Sequence, residues 1–240
     1  MTESAPEPPT SAAPPVSAEP PAALAPELAS AVSLASPALV ASSASVAAAL
    51  AAIRGAFGAA AASEYLGESV TVAHHQLRAA ARARAAGAPP ALVAAALLHD
   101  VGHVLDDESA AALGRGEDIR HEITGASWLA RWFGPAVTEP VRLHVEAKRY
   151  LCAVEPGYHD LLSPTSRRTL AMQGGPLEGD ELAAFGAYPY AQDAANVRRW
   201  DDAGKDPDVV VPPLEAYDDL LADLVRVPDT RPGPGSRVTG

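Results

Sequence analysis

Seven histidines stand in this sequence, at positions 74, 75, 99, 103, 121, 144 and 159. One of them, His99, is followed directly by Asp100, at the end of an unbroken apolar run from Ala91 to Leu98. A run of that density reads as a buried helix, yet it carries an imidazole and a carboxylate into the interior, with His103 one turn on. An unpaired buried carboxylate costs several kcal/mol even after relaxation. A hydrogen-bonded His–Asp pair, an ion-pair network or a metal ion would each offset it. Neutral imidazoles with carboxylates, one of them able to bridge, suit iron, manganese, zinc or cobalt, and the lack of cysteine ligands argues against a structural zinc site. Two spacings add cations to such a centre. His144 and Lys148 are four apart and Arg198 and Asp201 three apart, so each pair shares one helix face.

The elements that must position these groups are helical. About half of the residues are apolar, many of them alanine, and aromatic residues are few, which favours closely packed helices over a β-sandwich. Helices are expected over about 44–63, from Glu68 to Ala86 with a stop at Gly87, and from Pro89–Pro90 to just past His103. Others are expected over about 118–132, 136–153, Ser163 to Gln173, 190–203 and 213–226. Nothing reads as a strand or a repeat. The expectation is an all-α, single helical bundle spanning 44–226. Before it lies a disordered tail, 1–43, that holds nine of the 23 prolines and no Lys, Arg or aromatic residue, with a transient turn near 27–35. A loose Pro/Gly-rich end covers 227–240.

Composition narrows the partners. A formal net charge of −12 argues against nucleic acid or an anionic membrane as partner. The single cysteine, Cys152, excludes an intrachain disulfide framework and fits a reducing compartment. With no confident membrane span and no Lys/Arg-rich leader, a soluble, cytoplasmic protein is expected. Several positions stay open on residue type alone. These are His74 against His75, Asp201 against Asp202, Lys148 against Arg149, Arg198 against Arg199, and Ser166 against Thr165. His159 and Cys152 read as a surface and a core residue.

The order His, His-Asp, His, His, Asp along successive helices resembles the HD-domain superfamily of metal-dependent phosphohydrolases and oxygenases. Five stretches sharpen the resemblance: Tyr65-Leu66-Gly67-Glu68, Leu98 to His103, His144 to Cys152, Leu170 to Pro176, and Arg198 to Asp202. Together they look like the branch of mixed-valent di-iron oxygenases that cleave the carbon–phosphorus bond of 2-amino-1-hydroxyethylphosphonate and its N-methylated relatives. Myo-inositol oxygenase is a more distant cousin. The resemblance implies an HD-domain bundle holding two irons (Fe2+/Fe3+) bridged by Asp100. His75, His99 and Asp201 would hold one iron; His121 and His144 would hold the other. It places Tyr65 at an open iron position in the resting state and Glu68 by the substrate's amino end. His103, Lys148, Ser166, Gln173 and Arg198 would surround the phosphonate. The implied partners are a hydroxyphosphonate and O2, and the products phosphate and a carboxylate such as glycine. Two readings compete with it: an HD-type phosphohydrolase using the same ligands, and a non-catalytic helical interaction module, which the filled set of ligand positions disfavours.

Overall fold

A computed structural model describes residues 42–62, 70–105, 111–112, 115, 117–205 and 211–226. The helices are α1 (Ser43–Ala62), α2 (Val72–Ala85), α3 (Pro90–Leu98), α4 (Gly102–Leu105), α5 (His121–Leu129) and α6 (Pro135–Val154). They continue with α7 (Tyr158–Leu161), α8 (Pro164–Met172), α9 (Gly179–Gly186), α10 (Ala191–Ala203) and, after a 3-10 turn at Leu214–Tyr217, α11 (Asp218–Leu224). No β-strand element occurs among the described residues, and the architecture is an all-α bundle.

α3 is the hub. Every residue from Leu92 to Leu98 is buried, because α2 and α6 flank it and α10 crosses α2 and α6 nearby. Alanines at 79, 80, 83, 94, 95 and 96, all without exposed surface, let these backbones approach closely and bring side chains from four helices to one point. α1 is apolar enough along Ser43–Ala61 to cross a membrane on composition. In the fold it turns Ala49, Ile53, Ala56, Phe57 and Ala60 into the core, the spacing of one helix face.

Three boundaries differ from the sequence expectation. α2 begins at Val72 because Thr71 is its N-cap, the hydroxyl accepting from the His74 N–H at 3.3 Å. α3 stops at Leu98 rather than past His103. The backbone tightens through His99, Asp100 and Val101 with i→i+3 bonds (Val101 N–H to Leu98 O at 3.2 Å, His103 N–H to Asp100 O at 3.0 Å) before α4 resumes. α5 starts at His121 rather than 118, since Arg120 is left-handed (φ 52°) and cannot continue a helix backwards. Two helices, α7 and α9, were not anticipated: one is a single turn, the other follows the proline and glycine punctuation at 174–179.

Candidate metal centre

Six side chains from five places in the chain converge. α2 brings His75, the turn after α3 brings His99 and Asp100, the first residue of α5 is His121, and α6 and α10 bring His144 and Asp201. All six are buried. His74, by contrast, is exposed, its ring Nδ1 lying 3.2 Å from the Thr71 hydroxyl.

Asp100 divides the group in two. Its Oδ2 lies 3.2 Å from His99 Nε2 and 3.6 Å from His75 Nε2. On that side Asp201 Oδ1 is 3.1 Å from His75 Nε2 and 3.8 Å from His99 Nε2, and the two imidazole nitrogens are 3.3 Å apart. Its Oδ1 faces the other way, 3.2 Å from His121 Nε2 and 3.5 Å from His144 Nε2, which are themselves 3.2 Å apart. Ligand atoms bound about 2.1 Å from one ion stand about 3.0 to 3.4 Å from each other in octahedral or tetrahedral geometry. The first set spans 3.1 to 3.8 Å and the second 3.2 to 3.5 Å, so the shorter pairs have that spacing and the longer ones lie just outside it.

The hydrogen bonds outside the centre fix which nitrogen each ring presents. His99 Nδ1 lies 2.9 Å from the Ala96 carbonyl and His144 Nδ1 2.7 Å from that of Val141. A carbonyl can only accept, so both rings carry a proton on Nδ1, and Nε2 is the nitrogen turned inward, where a metal would take it. Asp100 Oδ2 and Asp201 Oδ1 are buried and accept no aligned hydrogen bond among the described residues. Imidazole nitrogens and carboxylate oxygens therefore converge on two points, and the residues present fit metal ions.

The electrostatics agree. Burial alone would lift the carboxyls of Asp100 and Asp201. The surrounding imidazoles, His99 foremost for Asp100, and Arg198 with Lys205 for Asp201, hold both well below the usual carboxylate range. Burial pushes His99 down, but Asp100 and Asp201 overrule it and raise it to about 10, so without metal its proton is what balances the charge. His121 is driven down to about 3, by burial first and His103 second.

A pocket opens from the Asp100–His121–His144 side. His103 stands at its wall, stacked on His121 with ring centroids 3.8 Å apart, its Nε2 3.9 Å from Asp100 Oδ1. That is farther than either His121 or His144, though His103 also stands close enough to Asp100 and His121 to join a ligand set. The far end of the pocket is cationic. Lys148 is buried, its Nζ donating to Thr169 Oγ1 at 2.9 Å. Its ammonium is brought down to about 7 by burial, with Arg198 next in effect. Ser166, Gln173 and Arg198 share this wall, and the Gln173 Oε1 is buried without a partner among the described residues.

The structure separates the pairs left open by residue type. Arg149 turns away to the Gly175 carbonyl (2.8 Å) and Arg199 to Glu155 (2.8 Å). Asp202 lies outside the centre and pairs with Arg198. Arg198 differs from expectation in how it is spent. Its guanidinium reaches Asp201 Oδ2 at 2.7 Å, both oxygens of Asp202, and Ser166 Oγ at 3.3 Å. It lines the pocket while its fork is committed to carboxylates, and so it positions Asp201. Tyr65 and Glu68 lie outside the described residues. His159 is exposed, and Cys152 is half-buried outside the pocket wall.

Sequence reasoning missed Thr169, Lys205, Glu117 and Asp118, all on the pocket wall. For Lys205 a signal existed: the chain has only two lysines, 148 and 205, and both line this one pocket. The two acids depend on the path of the chain before α5, which no local pattern encodes.

Comparison with known proteins gives a family model and similar proteins. Residues 72–175 match the family model of the HD domain. The chain is 41% identical over 173 residues to a [1-hydroxy-2-(trimethylamino)ethyl]phosphonate dioxygenase (glycine-betaine-forming) of Leisingera caerulea, an alignment covering 72% of this chain and 88% of that protein. It is 46% identical over 151 residues to a hydroxymethylphosphonate dioxygenase of Gimesia maris, covering 62% and 75% respectively.

Proposed function

Because this chain belongs to the HD-domain phosphonate dioxygenases, we propose that it uses two irons and O2 to cleave the carbon–phosphorus bond of a 1-hydroxyphosphonate. The observation that carries this reading is the split of Asp100, one oxygen toward each histidine set, at the base of a pocket whose other end is cationic. The substrate class is 2-amino-1-hydroxyethylphosphonate or an N-methylated relative. Glu117 and Asp118 on the wall favour a cationic amino end, and no Trp, Tyr or Phe lines the pocket among the described residues to cage a trimethylammonium.

In this reading His75, His99 and Asp201 hold one iron, His121 and His144 the other, and Asp100 bridges. The irons supply dioxygen activation and Lewis acidity when bound. The protein contributes orientation and charge. Lys148, held by Thr169, which itself donates to the Ser166 carbonyl at 3.1 Å, meets the phosphonate. His103 stacks beside His121 where it reaches the same group. Gln173 offers its amide from the end of α8. Arg198 keeps Asp201 aimed. The expected stoichiometry is one O2 consumed for each phosphate and each carboxylate formed, with no outside reductant. The working unit is residues 44–226.

The test is incubation of anaerobically purified, iron-loaded protein with 2-amino-1-hydroxyethylphosphonate, its trimethylated form and hydroxymethylphosphonate, with and without O2. Phosphate should appear together with the matching carboxylate, glycine in the case of 2-amino-1-hydroxyethylphosphonate, and only with O2. Phosphate released equally well without oxygen would replace this reading by hydrolysis, and a single zinc in the active protein would overturn the di-iron centre.

A further inference from the structure

The anion end of the pocket holds one cation more than the sequence motifs account for. Lys205, just beyond α10, places Nζ 2.7 Å from Ser166 Oγ, 3.0 Å from Asp202 Oδ1 and 3.7 Å from Asp201 Oδ1. Its side chain is 12% exposed and lies on the pocket wall. Arg198 donates to the same Ser166 oxygen. A hydroxyl has two lone pairs and one proton. Two cations occupy the lone pairs, so the Ser166 proton is directed away from both and is free to donate to a third group on this wall.

The charges point the same way. Lys148, Arg198 and Lys205 are the basic side chains that face Asp201 and Asp202, and without Lys205 only Lys148 and Arg198 are left to offer positive charge to an arriving anion. Arg198 has no freedom to supply it, since its fork is fixed on the two acids. An ammonium on a flexible stem can turn its donors between Ser166, Asp202 and an arriving anion. The chain has sixteen arginines, Arg198 of this pocket among them, while both of its lysines stand in this pocket.

We infer that Lys205 is a substrate-binding residue which, with Lys148 and the Ser166 hydroxyl, grips the phosphonate. This rests on the reading of the pocket given under Proposed function. The test is calorimetric titration of the anaerobic, iron-loaded protein with hydroxymethylphosphonate and, separately, with inorganic phosphate, alongside metal analysis of each variant. Lys205→Met should weaken both ligands about 10- to 100-fold, as expected for a lost charge-assisted hydrogen bond, with metal content unchanged. Lys205→Arg, keeping the charge, should recover most of that loss. Binding by Lys205→Met within about threefold of wild type would overturn the inference. So would loss of metal in step with loss of binding, since Lys205 would then act through Asp201. If the wild-type protein takes phosphate with this lysine dependence but not hydroxymethylphosphonate, the substrate reading falls and Lys205 stands as an anion-binding residue. If it binds neither, both fall.

Discussion

Gly102 offers the sharpest test of how the two halves of the centre are held. It opens α4, and a Cβ added there would lie 2.0 Å from the His121 carbonyl oxygen and 3.0 Å from the His121 Cα. Carbon–oxygen contacts in proteins come no closer than about 3.3 Å, so the carbonyl would have to retreat by about 1.3 Å. Gly102 has no left-handed backbone conformation, so alanine carries no torsional cost there and the effect is purely one of space. Metal sites tolerate ligand errors of about 0.2 Å, some six times less than the displacement. The burden falls on His121, whose Nε2 stands 3.2 Å from both Asp100 Oδ1 and His144 Nε2. The His75–His99–Asp201 set lies on the opposite side of Asp100. Overpacking of this kind costs about 1 to 3 kcal/mol, within the typical stability of a domain, about 5 to 15 kcal/mol, so the variant should fold. Gly102→Ala should therefore retain one metal per chain where the wild type retains two, and lose oxygen-dependent phosphate release. Metal analysis by plasma mass spectrometry, with circular dichroism melting, checks it. Two metals held at wild-type affinity, or both lost from a folded protein, would refute the reasoning.

Further outcomes follow from the charges. In the metal-free protein His99 holds its proton up to about pH 10. A folded-state value above the unfolded 6.5 contributes stability that is full below about pH 6.5 and fades as pH rises toward 10, so metal-free melting temperatures should fall across that window. A metal on the His75–His99–Asp201 set must expel that proton, and its apparent affinity should rise about tenfold per pH unit there; a flat chelator-competition profile would contradict this. Arg198→Lys keeps the charge and loses the fork that aims Asp201, so metal affinity should drop about 10- to 100-fold, the usual effect of losing a ligand's supporting partner. Unchanged metal affinity with weaker phosphonate binding would instead make Arg198 a substrate cation.

Much of the bundle was legible because alanine-rich apolar runs punctuated by Gly and Pro have few other solutions. The choice of His75 over His74 was legible in principle too: Thr71 is an N-cap residue, and its hydroxyl occupies the His74 N–H while the next residue turns inward. The break after Leu98 was hidden, since the residue pattern continues as a helix while the backbone tightens. What drives it is tertiary, the backbone-to-backbone approach of Gly102 and Gly125, whose added Cβ would stand 3.1 Å from the Gly102 nitrogen. The same holds for the reversal at Arg120 and for the acids before α5. Arg198 lines the pocket, but its commitment to Asp201 and Asp202 depends on a competition among partners that residue type cannot rank.

The confinement of both lysines to one pocket has a consequence for chemical labelling. Every side-chain amine in the chain, Lys148 and Lys205, borders the centre, and one of them sits near pH 7, where a large fraction of its nitrogen is the unprotonated nucleophile. An acylating or reductively alkylating reagent, which ordinarily scatters over a protein surface, is here directed to the anion site, and a bound oxyanion shields its targets. Modification of these two side-chain amines thereby becomes an occupancy gauge for this pocket, since arginine does not take up such reagents.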